Sequence, residues 1–313
     1  MDSTFTGIEI GKRSLFAHNR ALTTVGHNLS NANTEGYSRQ RVEFTTSDPL
    51  FRPDLTRAET PGQLGQGVDI ASISRVKDEL LEGRIVANGS GEGYWQTRDK
   101  YVTQLEHVYN EPTELSLRGR MDKFWNSWQE LSNYPEQVAA CNAVVESGQS
   151  LADGVRLRYQ QLNQVRTVLN EEIGVQVAKI NDLTTSIASL NTEIVKVKAE
   201  GDNPNDLLDK RDKLVNDLSG IINITVDNRD PDEFSIHTNG YHVVQGGIAR
   251  RFELANDPAN EGYNKVIWPD IKEDAHFSSG SLAAMVEFRD RYLRQVIQGL
   301  DIFAVYFYDL VIS

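Results

Sequence analysis

Cysteine is almost absent: Cys141 is the only one, so no internal disulfide can form. A chain of 313 residues has enough material for buried cores without a disulfide, so this scarcity does not fix the redox compartment. Long apolar runs are also missing. No stretch reaches the roughly 18 to 20 consecutive apolar residues of a membrane-spanning helix, so membrane insertion is not expected. The first residues, MDSTFTGIEIGKRSLF, carry acids early and no continuous apolar run. They do not read as a Sec-type signal, which leaves export by signal-less machinery open. Basic residues are in deficit, 32 against 45 acids, for a net charge of −13. Such a chain is repelled by nucleic acid and anionic lipid, so neither is expected as a partner.

Most of what is present reads as helix. From about Thr4 to Asn31, Ile8, Leu15, Leu22 and Leu29 recur every seven residues, with Val25 on the same side. The stripe is thin and interrupted by Gly7, Gly11, His18 and Gly26, so this helix needs a partner to bury its seam. It stops in SNANTEGY, residues 30–37, where Asn, Ser and Thr compete for backbone hydrogen bonds and Gly36 can take a positive φ. From 38 to 75 prolines and glycines give extended chain, with Val68 and Ile70 alternating as in a short strand. Helix is expected again from about Val76 to Ala87, a break at Gly89, Gly91 and Gly93, and helix through Val102, Leu105 and Val108. A further stretch carries Leu117, Met121, Phe124, Trp128 and Leu131.

The longest periodicity runs from Val155 to Val197. Position a holds Tyr159, Arg166, Ile173, Ile180, Ile187 and Ile194. Position d holds Val155, Leu162, Leu169, Gln176, Leu183, Leu190 and Val197. Ile at a and Leu at d is a coiled-coil pattern, and Val165 and Val177 widen it toward a bundle. The structural core is therefore placed on Ile173, Ile180, Leu183, Ile187, Leu190 and Ile194. After Gly201, Asn203 is expected to cap a short helix with Pro204 at its first position. Ile222, Ile224 and Val226 alternate as a strand, and residues 234–245 form a hairpin about Asn239-Gly240. Helix resumes at Ser281 through Leu282, Met285, Phe288, Leu293, Val296 and Leu300.

Sites for chemistry are sparse. Gly62/Gly65/Gly67 and Gly89/Gly91/Gly93 lack phosphate-loop spacing and read as linkers or turns. Asn228, Asp230 and Asp232 start like a calcium loop, but Glu233 stands where glycine belongs and Asn239 where the closing acid belongs. His237 and His242 oppose each other on the hairpin, with no third ligand at suitable spacing. Cys141 lies in a periodic helix and reads as a buried thiol. Phe124, Trp125 and Trp128 read as packing between helices rather than a sugar platform. Glu106, Glu111 and Glu114 would be the carboxylates of a rival reading, a cell-wall glycan hydrolase. No catalytic, cofactor-binding or metal residues are assigned.

The segment NLSNANTEGYSRQRVEF, residues 28–44, resembles the N-terminal signature of the flagellar rod, hook and hook-associated axial proteins. Gly65 through Ile70, on to Arg75, is similar to the β segment that follows it in those proteins. Residues 205–226, 239–247 and 280–293 resemble the first hook–filament junction family within that group, DLLDKRD being the most specific stretch. The resemblance implies a mainly α fold with a small β part: an elongated, flagellin-like coiled-coil or helical-bundle core, a β-hairpin region and a marginal N-terminal assembly helix. It divides the chain into an assembly helix and break at 1–37, an extended or β linker at 38–75, and a helical-bundle core at 76–313 with a β-hairpin insertion at about 221–277. The chain ends at Ser313 within the first helix after the β region, so a later domain and closing helix are expected to be missing.

The implied function is a non-enzymatic, self-assembling subunit at the hook–filament junction, secreted by type III export without a cofactor. Another axial protein (hook, distal rod or second junction protein) is the nearer rival. Implied partners are further copies in a ring or helical layer, the hook protein, the second junction protein, and an export chaperone acting through the missing C-terminal segment. Ile8, Leu15, Leu22, Val25, Leu29, Asn28, Asn31, Gly36 and Tyr37 would carry axial assembly.

Overall fold

The computed structural model describes residues 5–49, 65–109, 116–228 and 233–312. Helix α1 (Thr6–Ser30) leads into a two-stranded antiparallel sheet of β1 (Gln40–Thr46) and β2 (Val68–Arg75). Four helices follow: α2 (Glu79–Tyr109), α3 (Leu117–Asn133), α4 (Val138–Ala199) and α5 (Asn205–Ile221). Short strands come next. β3 (Thr225–Asp227), β4 (Ser235–Thr238), β5 (Tyr241–Gln245) and β6 (Ile248–Ala249) form one sheet in that order. β7 (Glu253–Asn256), β8 (Asn264–Trp268) and β9 (Glu273–Asp274) form another. The last helical stretch is α6 (Ser281–Glu287), a π turn at Phe288–Tyr292, and α7 (Leu293–Ile312). The fold is mainly α with a small antiparallel β part.

Helix α4, 62 residues long, is the axis of the core. It packs against α3 along one part and against α5, α6 and α7 elsewhere, while the strands lie on its C-terminal half. Ile173, Ile180 and Ile187 are fully buried, and Ile194 nearly so. Each such side chain contributes about 1.5–3 kcal/mol through removal from water. Leu183 and Leu190 are only half-buried. Beyond Leu169 the second row of the seam shifts by one residue, from Gln176, Leu183 and Leu190 to Val177, Thr184 and Asn191. The shift follows from what α4 faces. Asn191 donates to the carbonyl of Gly246 at 2.8 Å, while the Thr184 hydroxyl is satisfied within α4 by the Asn181 carbonyl at 3.0 Å. Two further asparagines, Asn170 and Asn181, hold the backbones of Asn264 and Phe252. The helix thus docks the β region through amides as well as methyl groups.

Several expectations require correction. Helix α2 does not break at Gly89, Gly91 and Gly93 but runs straight through them. Gly89 and Gly93 are neither turn nor linker: they face Ser219 and Gly220 at the end of α5, where a Cβ would collide. Gly280, at φ +97°, completes the crossing. It lies against the Ile221 backbone, and its N–H donates to the Ser90 carbonyl at 2.9 Å. Cys141 is exposed, because Ala140 and Val144 point toward α3 and Cys141 lies one helical step away. Phe124 is buried, but Trp125 and Trp128 keep 44 % and 40 % of their surface and only border it edge-on. Helix α2 starts at Glu79, where the Asp78 side chain accepts from the N–H groups of Leu80 and Leu81. Helix α5 is preceded by Pro204 at the cap position, one residue later than expected. The last helix is interrupted by the π turn, within which Arg289 is buried and binds Asp290 and Asn170. Gly62, Asp230, Asp232, Glu111 and Glu114 lie outside the described residues.

The hairpin forms with Asn239 and Gly240 both at positive φ, as its tight turn demands. His237 and His242 are directly paired across it, their rings 4.1 Å apart. Among the described residues, no group of three or more His, Cys, Asp or Glu side chains is placed to hold a metal, and no helix is long and apolar enough to cross a membrane.

Candidate assembly interface

Helix α1 lies along β1 and β2. Ala17 and Thr24 face the strands and are buried. The apolar stripe faces away: Ile8, Leu15, Leu22, Val25 and Leu29 keep between 60 % and 78 % of their surface. Five large apolar groups on one helical face form an apolar strip of the kind that marks a binding surface.

The end of α1 is fixed by its asparagines. Asn31 folds back so that its side chain donates to the His27 carbonyl at 3.1 Å, and its oxygen accepts from Thr34. Asn28 acts like a strand neighbour. Its amide donates to the Gln40 carbonyl and its oxygen accepts the Gln40 N–H, both at 2.8 Å. The same oxygen accepts the Tyr37 hydroxyl at 2.8 Å, and that hydroxyl also meets Nδ1 of His27 at 2.9 Å. Burial, then the negative charges of Asp206 and Asp209, pushes the Tyr37 phenol above its ordinary value and keeps it a neutral donor. Gly36 sits at φ +82° against the side chain of Lys213, a conformation and a space that suit glycine.

The DLLDKRD stretch supplies the counterpart. It forms the first half of α5, where Asp206, Asp209 and Asp212 recur every three residues and share a face. Asp206 accepts from the Gln40 side chain at 2.8 Å. Asp209, with 5 % of its surface exposed, accepts the Ser38 N–H and an Arg75 Nη1, both at 2.8 Å. Asp212 accepts from the same Arg75 nitrogen at 2.8 Å and from Lys77 at 2.7 Å. Burial opposes the Asp212 charge, but hydrogen bonds from Lys77 and Arg75 outweigh it and hold the carboxyl below its usual range. Burial likewise works against the Arg75 charge, and its bonds to Asp209 and Asp212 raise it above its ordinary value. Lys213 pairs with Glu35 at 3.0 Å, and Asn205 donates to the Ile73 carbonyl at 2.7 Å.

The structure therefore brings Asn28, Asn31, Gly36 and Tyr37 together at one end of α1 and spreads the apolar stripe along its outer face. Asp206, Asp209, Asp212, Arg75, Lys77 and Gln40 are the functional candidates that sequence reasoning missed. Their signal was available in the three-residue spacing of the α5 carboxylates. Their partners, 166 to 171 residues away for Gln40 and Ser38, were not.

The sequence profile of the flagellar hook-associated protein FlgK helical domain matches residues 102–311. The chain belongs to the FlgK family. Flagellar hook-associated protein 1 of Bacillus subtilis strain 168 is 36 % identical over 226 residues, covering 72 % of this chain and 45 % of that protein. The protein of the same name from Salmonella typhimurium is 28 % identical over 305 residues, covering 94 % of this chain and 54 % of its own length. The chain thus spans about half the length of these curated relatives. A solved structure titled as the flagellar hook junction protein FlgK from Burkholderia pseudomallei superposes with a TM-score of 0.60 at 22 % identity, over 66 % of this chain and 39 % of that one. That likeness carries the fold of the FlgK-family helical domain.

Proposed function

We propose that this chain provides the assembly helix and helical core of a structural subunit at the junction between flagellar hook and filament. The observation that carries the reading is the exposed stripe from Ile8 to Leu29 on a helix whose other face is already packed. A helix with about two-thirds of each large apolar side chain in water gains stability when another chain covers it. A head-to-tail contact of that kind generates a ring or helical layer. The subunit acts by assembly and not by catalysis. Its partners in this reading are further copies of itself, the hook protein and the second junction protein, reached by type III export with a dedicated chaperone, and it resides on the flagellum outside the cytoplasm.

The test is complementation of a strain lacking the full-length protein, with Leu15→Asp and Leu22→Asp combined. Both side chains are exposed, so the core melting temperature should stay unchanged. The variant should reach the medium as free protein and leave cells without filaments. Normal motility with the variant seated on hooks would overturn the proposal.

A further inference from the structure

The contacts inside the N-terminal arm differ in kind from those that tie it to the core. Within the arm, α1 is joined to β1 by the two hydrogen bonds of Asn28 to the Gln40 backbone. Tyr37 and His27 close the same corner. His18 packs on Phe44 with ring centres 5.3 Å apart. Gly67, at φ +98°, lets β2 approach Ile10. The strands pair from Gln40 opposite Arg75 to Thr46 opposite Val68, and Glu43 accepts from Ser72 and Ser74. The backbone ladder, buried Ala17 and Thr24 and the amide clamp join helix and strands into one unit.

Between arm and core the joint is polar. Among the described residues, no arm residue up to Arg75 belongs to either buried apolar cluster of the core. The ties include those of Asp206, Asp209, Asp212, Asn205 and Lys213 to Gln40, Ser38, Arg75, Ile73 and Glu35, and of Asp206 to His27. The Arg75 pairs with Asp209 and Asp212 are largely buried, so they fix one direction of the joint strongly, and each depends on both of its partners. Because no described arm residue belongs to the apolar clusters of the core, a change at this joint leaves those clusters intact.

We propose that the arm is a preformed lever, and that Asp209 and Asp212 are the positioning residues of a polar hinge that sets its direction. The arm-to-core angle can then be reset without unfolding either part. This deepens the junction reading, on which its purpose rests: a subunit placed between two different lattices meets neighbours at two geometries. Asp209 and Asp212 touch no partner in this scheme and act through Ser38, Arg75 and Lys77.

The exposed Cys141 on α4 gives a native attachment point for a spin label. Asn19→Cys on the exposed surface of α1 gives the second. Pulsed dipolar measurement on the otherwise complete chain should give one narrow distance distribution. Combining Asp209→Asn with Asp212→Asn should broaden it at least twofold, with helical content and core melting temperature unchanged. Asp212→Glu should stay narrow. A double variant as narrow as the parent would overturn the proposal, because other contacts would then set the angle. Broadening accompanied by loss of α1 helicity would also overturn it, because the arm would not be preformed. The measurement uses soluble protein and needs no flagellum. Failure of the junction reading would instead appear as normal motility in the Leu15/Leu22 variant.

Discussion

Gly93 of α2 crosses Gly220 of α5 so closely that its missing side chain is what lets the two helices meet. Gly91, two residues earlier on the same helix, has nothing within 4 Å of the corresponding position. The pair gives an internally controlled prediction. Gly93→Ala should destabilise the core by roughly 1–3 kcal/mol, the usual penalty for forcing atoms into a packed contact, and by more if the backbone cannot move. Gly91→Ala should stabilise by about 0.5–1 kcal/mol, since alanine is the better helix former and meets no obstacle. Urea denaturation of the two variants separates them. Equal effects would mean that the α2–α5 crossing is wrongly placed.

The shifted seam of α4 makes a second prediction. Ile187 is fully buried and Leu190 is half-buried. Ile187→Ala should cost about 2–5 kcal/mol, and Leu190→Ala well under half of that. Ile187→Asp should prevent stable folding of the core, since a carboxylate there has no partner. Asn191→Leu is the sharper case. It adds apolar surface at a buried position, yet it removes the donor to Gly246 and the acceptor of Arg211. It should destabilise by roughly 1–3 kcal/mol because a buried carbonyl is left unsatisfied. A stabilised Asn191→Leu protein would mean that the amide bonds to Gly246 and Arg211 do not set the seam.

These cases show where the sequence could be read and where it could not. The periods of α1 and α4 and the Asn239-Gly240 turn are local signals, and they lead directly to the elements observed. The glycines at 89, 91 and 93 carry the same local signal as a linker, because glycine permits both a turn and a close crossing. Only the position of Gly220, more than a hundred residues later, decides between them. Asn191 takes the buried position beside Leu190 because α4 faces the Gly246 carbonyl there, and no periodicity encodes that. The π turn depends on Arg289 reaching Asn170 on another helix. At the candidate interface, Gly36, Tyr37 and the asparagines stand out in the sequence. The carboxylates that hold the neighbouring Ser38, Gln40 and Arg75 were visible only as part of a motif, without their partners.

Asn28 provides a third prediction. Its side chain satisfies both backbone groups of Gln40 and receives the Tyr37 hydroxyl. Asn28→Ala leaves three polar groups without that partner, while the core keeps every contact. Amide exchange at β1 should therefore accelerate by about tenfold or more, corresponding to the net worth of one or two hydrogen bonds. Exchange in α4 should not change. Uniform acceleration through both regions would mean that arm and core unfold together.

The fourth prediction concerns the order in which acid loosens the molecule. Burial, then the adjacent His242, holds the His237 imidazole below its ordinary value, with Asp227 opposing. A base depressed in the folded state contributes fully above its unfolded value of about 6.5, and this contribution is lost as pH falls through the folded value. Asp212 is depressed too, by Lys77 and Arg75 against the effect of burial. For a carboxylate the contribution is complete above the unfolded value of about 3.9 and disappears only as pH falls through the lower folded value. The hairpin should therefore lose protection first, in mild acid, while the arm stays clasped to α5 until strongly acidic conditions. Residue-resolved amide exchange at about pH 7, 5 and 3 distinguishes the two regions. His237→Gln should remove the mild-acid step at β4 and β5 and leave the Ser38 amide unaffected. If Ser38 opened in the same window as the hairpin, the Asp212 pairing would not be holding the arm.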